Sequence, residues 1–225
     1  MVRIRIGVVA CEILKREIDK VIENDPDIVH KEYLDFGLHT EPEKMKYTIV
    51  EKLNALEGKV DAVLLGYAIC QSLKGVTKEV KVPTVMLEGD DCIATLLTPV
   101  GYEEEKRIAT GTWFNSPGWA ELGIKGAIRE LHLDSMTDQG YDPMYFLRIL
   151  FEGYSRCLFI DTGVGEVDRF EGLSKDFANQ LNLVHHSRTC SLTLIENALR
   201  DAKKLGAQEM VRRGEGLTVP NGVTT

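Results

Sequence analysis

The sequence predicts an α/β protein: a doubly wound, mostly parallel sheet with helices on both faces. Three observations predict it. Apolar runs of strand length, at residues 3–10, 28–34, 60–65, 83–87 and 156–160, alternate with segments of helical period. Several runs are almost unbroken, above all Val60, Ala62, Val63, Leu64 and Leu65, as expected of a strand covered on both faces. The runs stop at small or polar residues, such as Gly66 and Glu88-Gly89, where a strand gives way to a loop.

Taken in order, the first strand leads through Cys11 into a helix over 12–24, with Ile13, Leu14, Ile18, Val21 and Ile22 on one face. Asp25-Pro26-Asp27 turns the chain into strand two, and Gly37-Leu38-His39-Thr40 turns it out again. Thr40 is the expected cap of a helix reaching Leu56, with Pro42 in its first turn and Gly58 as its stop. Strands three and four follow. A helix is expected over 91–98, capped by Asp90 or Asp91, and then a charged loop over 99–106. The stretch TGTWFNSPGWAELG, 110–123, has two tryptophans, three glycines and a proline. It is expected to be an irregular loop, either a lid or wall over the strand ends or a hydrophobic flap packed on the core. Helices at 124–133 and 143–154 precede strand five. A helix over 167–181, a short strand at 183–186 and a helix over 190–205 stopped by Gly206 complete the domain, expected to span 1–207. The tail, 208–225, has no periodicity and is expected to be mobile. The whole reads as Rossmann-like or flavodoxin-like, with a site at the carboxyl ends of the strands.

Composition excludes several classes. The 225 residues carry a formal net charge of −8, with no basic stripe to neutralise phosphates, so no nucleic-acid partner is expected. No apolar run approaches membrane-spanning length, so no membrane partner is expected. MVRIRIGVVAC leads straight into a charged helix and reads as a strand rather than a signal peptide. Five cysteines with no CxxC pair do not suggest a disulfide framework. A cytoplasmic protein is the expectation.

Fold position then singles out residues. Cys11, His39, Cys70 and Cys92 follow strands one to four at one sheet edge. Three thiols and an imidazole suit one tetrahedral metal ion. Zinc ranks first; an iron–sulfur cluster with an open position is the alternative. The sulfurs of Cys11, Cys70 and Cys92 are expected to meet roughly 3.5–4 Å apart, given zinc–sulfur bonds of about 2.3 Å. Asp90 and Asp91 are candidate general bases or outer partners of the ligands. Tyr67, Thr112, Trp113, Trp119, Thr162 and Gly163 are candidate contacts to a small-molecule substrate. In DTGVGE, backbone amides near a helix start suit an anion. Cys157 reads as core, and Cys190 with His185 and His186 as a separate thiol–imidazole pair or a plain turn.

The strings LHTEPEK, LLGYAICQSLKGV, VPTVMLEGDDCIATLL, TGTWFNSPGWAE and FIDTGVGE, in this order, resemble the family called domain of unknown function 1638 of methanogens and other anaerobes. The resemblance covers about residues 6–200. Cys11, His39, Cys70, Asp91, Cys92, Thr112 and Trp119 fall on its motifs. It implies a link to corrinoid-dependent one-carbon metabolism, with a corrinoid or methyltransferase protein as partner.

Three functions follow as expectations. The first is a thiolate-metal-site protein that binds or activates a small thiol, methyl or carboxylate substrate. The second is a metal-free two-cysteine enzyme of the racemase kind; DTGVGE faintly resembles that group's DSGVGG, without its CNT and GCTH motifs. The third is a non-catalytic protein binding a small molecule or cofactor. A homodimer is the default assembly.

Overall fold

The computed structural model describes residues 3–70, 72–138 and 140–215. The chain is α/β, and its strands are parallel and divide between two sheets. The first contains β1 (Ile6–Cys11), β2 (Ile28–Leu34), β3 (Ala62–Gly66) and β4 (Thr84–Met86), in the order β2-β1-β3-β4. The second contains β5 (Thr112–Asn115), β6 (Arg156–Asp161) and β7 (Val184–Thr189), in that order. β1 and β3 are buried along their whole length, which explains their unbroken apolar runs. β2 and β7 lie at sheet edges and alternate or are mostly exposed.

The helices α1 (Lys15–Val21) and α2 (Pro42–Asn54) connect the early strands. A 3-10 turn, Glu12–Leu14, precedes α1, and another, Phe36–Thr40, precedes α2. Thr40 does not cap α2: its hydroxyl donates to Gly37 O at 2.8 Å, and Glu41 takes the cap position. After β4 come α3 (Cys92–Leu97) and α4 (Pro99–Ile108). The expected loop over 99–106 is therefore a helix. Thr98 caps it by accepting from Gly101 N at 3.2 Å, Pro99 opens it, and Lys106 and Arg107 suit its negative end.

The expected irregular loop over 110–123 is also regular. It contributes β5 and the start of α5 (Pro117–Glu130). Ser116 accepts from Trp119 N, Pro117 stands in the first turn, and Gly123 at φ 54° absorbs a kink inside the helix. The punctuation of this stretch marks a helix start rather than disorder. A short α6 (Ser135–Asp138) and α7 (Pro143–Leu150) lead to β6, and α8 (Val167–Gln180) leads to β7.

The last helix, α9 (Thr193–Arg212), returns to the first sheet. Its Ile195, Ala198, Leu199 and Ala202 share one core with Val8, Val9, Val63 and Leu64. The two lobes are therefore interlocked: the chain leaves the first lobe after α4 and comes back to close it. Gly206 does not stop this helix. A Cβ there would lie 3.0 Å from Ile4 Cγ2, so the glycine lets the helix approach the sheet. The expected mobile tail thus begins inside a helix, and its residues 216–225 lie outside the described ones.

The lobes meet closely at Gly118. A Cβ built on it would lie 2.4 Å from the Ile13 carbonyl oxygen. Backbone stands on both sides, so nothing soft can yield. Gly118→Ala is expected to lower stability by about 2 kcal/mol, the overpacking cost outweighing the roughly 1 kcal/mol that alanine gains over glycine in a helix. A urea midpoint equal to or above that of the wild type would show that the lobes do not meet as described. No helix among the described residues is long and apolar enough to cross a membrane.

Candidate functional site

The four strand exits of the first sheet are tied to one another. After β1, the Glu12 carboxylate accepts from Phe36 N at 2.9 Å, which fixes the 3-10 turn carrying His39. The exits of β3 and β4 are joined by Leu87 N to Tyr67 O at 3.1 Å and Cys70 N to Asp90 O at 2.8 Å. Cys70 holds a φ of 39°, a region that non-glycine residues seldom occupy. That conformation is over-determined by the Asp90 bond and by Ser72 N donating to Cys70 O at 2.7 Å. Cys92 opens α3 directly behind Asp91, whose carboxylate caps the helix by accepting from Ala94 N at 2.8 Å.

These ties bring Cys11, Cys70 and Cys92 to the wall of one small chamber of about 30 Å³, which Tyr67, His39, Asp91 and Trp119 also line. The volume suits one ion or one water molecule. The Tyr67 hydroxyl is buried beside the Cys11 thiol and has no oxygen or nitrogen hydrogen-bond partner among the described residues. Burial keeps the thiols protonated: it pushes Cys11 up to about 12 and Cys70 up to about 11, and holds Cys92 well above the ordinary thiol range. Among the described residues, no three His, Cys, Asp or Glu side chains stand as a ready-made set of ion ligands.

The chamber borders a larger cleft between the lobes, of about 620 Å³, with His39, Cys70, Asp91, Cys92 and Trp119 in both walls. This is within the range of small-molecule sites. His39 Nε2 lies 2.7 Å from Glu130 Oε1 on α5, and that partner raises the imidazole pKa despite burial. The contact joins the two lobes at the cleft, and Arg129 to Asp35 joins them outside it. Asp91 also accepts from Tyr102 OH at 3.0 Å, so both its oxygens are engaged. Asp90 is exposed at the cleft. Of the two aspartates, Asp90 alone leaves its carboxylate uncommitted to a side-chain or capping hydrogen bond among the described residues.

The other candidates divide. Trp113 and Trp119 line the cleft edge to face, with centroids 5.9 Å apart. Thr112 also lines it, but its hydroxyl donates to Ala109 O at 2.6 Å and accepts from Arg156 Nε at 3.0 Å. Thr162 and Gly163 line neither cavity. Thr162 donates to the buried Glu17 at 3.1 Å, and Gly163 N is taken by Asp161 Oδ1 at 2.8 Å. The amide that would have greeted an anion is thus occupied within its own turn. Cys157 is fully buried in β6, as core. His185 bonds Ser174 at 3.2 Å, and the acids near Cys190 are Glu17 and Asp161.

Sequence reasoning missed Glu130, Tyr102 and Tyr154, which also line the cleft. They come from α4, α5 and the segment before β6. No local motif marks them, because their meeting depends on how the second lobe docks.

The fold and site together define an α/β protein of two interlocked parallel sheets, with a three-thiol chamber beneath an aromatic cleft. The chain belongs to the family described as "Protein of unknown function (DUF1638)", which matches residues 33–199. That span holds His39, Cys70, Asp91 and Cys92, while Cys11 lies outside it, 22 residues before its start at residue 33. No curated protein matches the chain at a significant level. No solved structure does either.

Proposed function

We propose that this protein holds a soft metal ion on the thiolates of Cys11, Cys70 and Cys92, below a cleft that takes a small-molecule substrate. The observation that supports the reading is the shared chamber: three cysteines from three separate strand exits line a single space of about 30 Å³. The donor chemistry fits. Three soft thiols, with the Tyr67 hydroxyl beside Cys11, suit zinc first and an open iron–sulfur cluster second. Ligation would draw the three sulfurs inward and release their protons, reversing the effect of burial. His39 keeps Nδ1 for a ligand while Glu130 holds Nε2, the arrangement common where a carboxylate orients a metal-bound histidine. Bound there, the metal would act as a Lewis acid toward a group entering from the cleft. This chain's own residues would do the rest: Trp113 and Trp119 wall the ligand, and Asp90 offers a carboxylate at the mouth.

The metal-free two-cysteine reading fits less well. It needs one thiol ionised at rest, and burial opposes that at all three. A non-catalytic binding role is supported by the volume of the cleft. Five free cysteines support a reducing, cytoplasmic setting. A corrinoid or methyltransferase partner and a place in one-carbon metabolism rest on the family resemblance, and a homodimer on the general habit of soluble proteins.

Metal analysis and a visible spectrum of anaerobically purified protein test the proposal. About one zinc per chain without visible absorbance is expected; iron with thiolate–iron absorbance would favour the cluster. Cys11→Ser, Cys70→Ser and Cys92→Ser should each lose the metal, and Cys157→Ser should keep it. Metal retained in all three site variants, or no metal taken up by the wild type, would overturn it.

A further inference from the structure

We infer that the interlobe cleft takes a compact organic cation, an ammonium group carrying apolar substituents. The inference rests on the reading above that the cleft is the substrate cavity, and it names the class of substrate. Two independent features of the walls carry it. The first is aromatic: Trp113 and Trp119 stand edge to face, and Tyr154 lines the same space. Aromatic faces attract cations with a low hydration cost. The second is charge: Asp90, Asp91 and Glu130 line the cleft, and among the described residues no lysine or arginine does. His39 is its one basic group and is matched by Glu130 at 2.7 Å, leaving two carboxylates in excess. The second oxygen of Glu130, Oε2, is buried and has no hydrogen-bond partner among the described residues.

Other ligand classes fit less well. An anion would enter against the carboxylates with no cationic side chain to receive it. A neutral apolar molecule would leave buried carboxylate oxygen unsolvated. A hydrated metal ion would gain little from aromatic walls. An alkylated ammonium meets both features, with its substituents on the rings and its charge toward the acids.

The chain has two tryptophans, and both line the cleft, so intrinsic fluorescence reports on this site. Choline is titrated against its uncharged isostere, in which carbon replaces the nitrogen, and against the matching carboxylate. Titrations use chelator-treated protein and, in parallel, zinc-loaded protein. Choline is expected to bind about tenfold more tightly than the isostere, and the carboxylate not at all. Asp90→Asn is expected to weaken choline about threefold and Tyr154→Leu about tenfold. Both positions are exposed, and circular dichroism confirms that the variants fold. If the isostere binds as tightly as choline, or if neither variant changes choline affinity, the cation assignment is wrong and the cleft remains a small-molecule site. If no probe alters the fluorescence of either form, the cleft is not the substrate cavity, and the underlying reading falls with it. Choline binding to chelator-treated protein alone would leave this inference standing while the metal assignment is judged separately.

Discussion

Trp113→Ala is expected to destabilise the protein by about 3 kcal/mol, the lower end of the range for emptying a packed tryptophan, because the ring is only partly buried. Its position argues for a large effect. The ring packs against both hydrophobic cores, the one around the first sheet and the one around the second. It stacks on Phe177 at 5.5 Å and 20°, meets Phe151 at 5.2 Å, and touches Trp119 edge to face. Removing it takes away contacts in three directions and opens the floor of the cleft. The surrounding rings belong to α8 and to the segment after α7, which are fixed elsewhere and can collapse only in part. Trp113→Phe should keep most of the stacking and lose less than half as much. Urea unfolding followed by circular dichroism measures both. An alanine variant within 1 kcal/mol of the wild type would mean that the two cores are joined by something other than this ring.

The same residue shows where the sequence was readable and where it was not. The strand exits were readable, because β1, β3 and β4 announce themselves as apolar runs that end at Cys11, Gly66 and Glu88-Gly89. The capping of α3 by Asp91 follows from the residue type and its place before an apolar helix. Trp113 was legible as a site residue but not as part of a strand. Its strand has four residues, and glycine, serine and proline flank it, so the local signals of a loop outweigh those of a short parallel strand. β5, and with it the division into two sheets, went unseen for that reason, although β6 and β7 were expected as strands. The charges in residues 99–106 likewise hid α4, whose start depends on Thr98 and Pro99 rather than on an apolar stripe. Thr162 and Gly163 were misplaced by a different cause. A glycine turn after a strand has free amides only if no neighbouring carboxylate takes them, and Asp161 does so two residues away. Glu130 could not be found at all, since its partner His39 lies 91 residues earlier.

Glu105→Gln is expected to cost about 3 kcal/mol at neutral pH, because it breaks a buried ion pair on one side only. Glu105 lies on α4 and Arg156 at the start of β6; their side chains are 7% and 9% exposed, and the salt bridge measures 2.8 Å. Arg188 on β7 makes a second bond to the same carboxylate at 2.6 Å from a more exposed position. Loss of the charge leaves the Arg156 guanidinium with neutral acceptors alone: the Thr112 hydroxyl, the backbone carbonyl of residue 105 and the amide oxygen of the new glutamine. Burial alone would raise the Glu105 pKa, but hydrogen bonds from Arg188 and Arg156 outweigh it, and the carboxyl is held below its ordinary value. The sign of the pH dependence follows. A carboxyl with a depressed folded-state pKa adds stability above the unfolded value of about 4.3, and that stability is lost as pH falls through the lower folded value. The gap between wild type and Glu105→Gln should therefore be full at pH near 7 and close progressively below about pH 4. Pairing the change with Arg156→Met should cost less than the two single losses together, since no buried charge is then left alone. Urea midpoints measured across this pH range decide it: a gap that stays constant into acid would show that the carboxylate's charge is not what anchors β6 and β7 to α4.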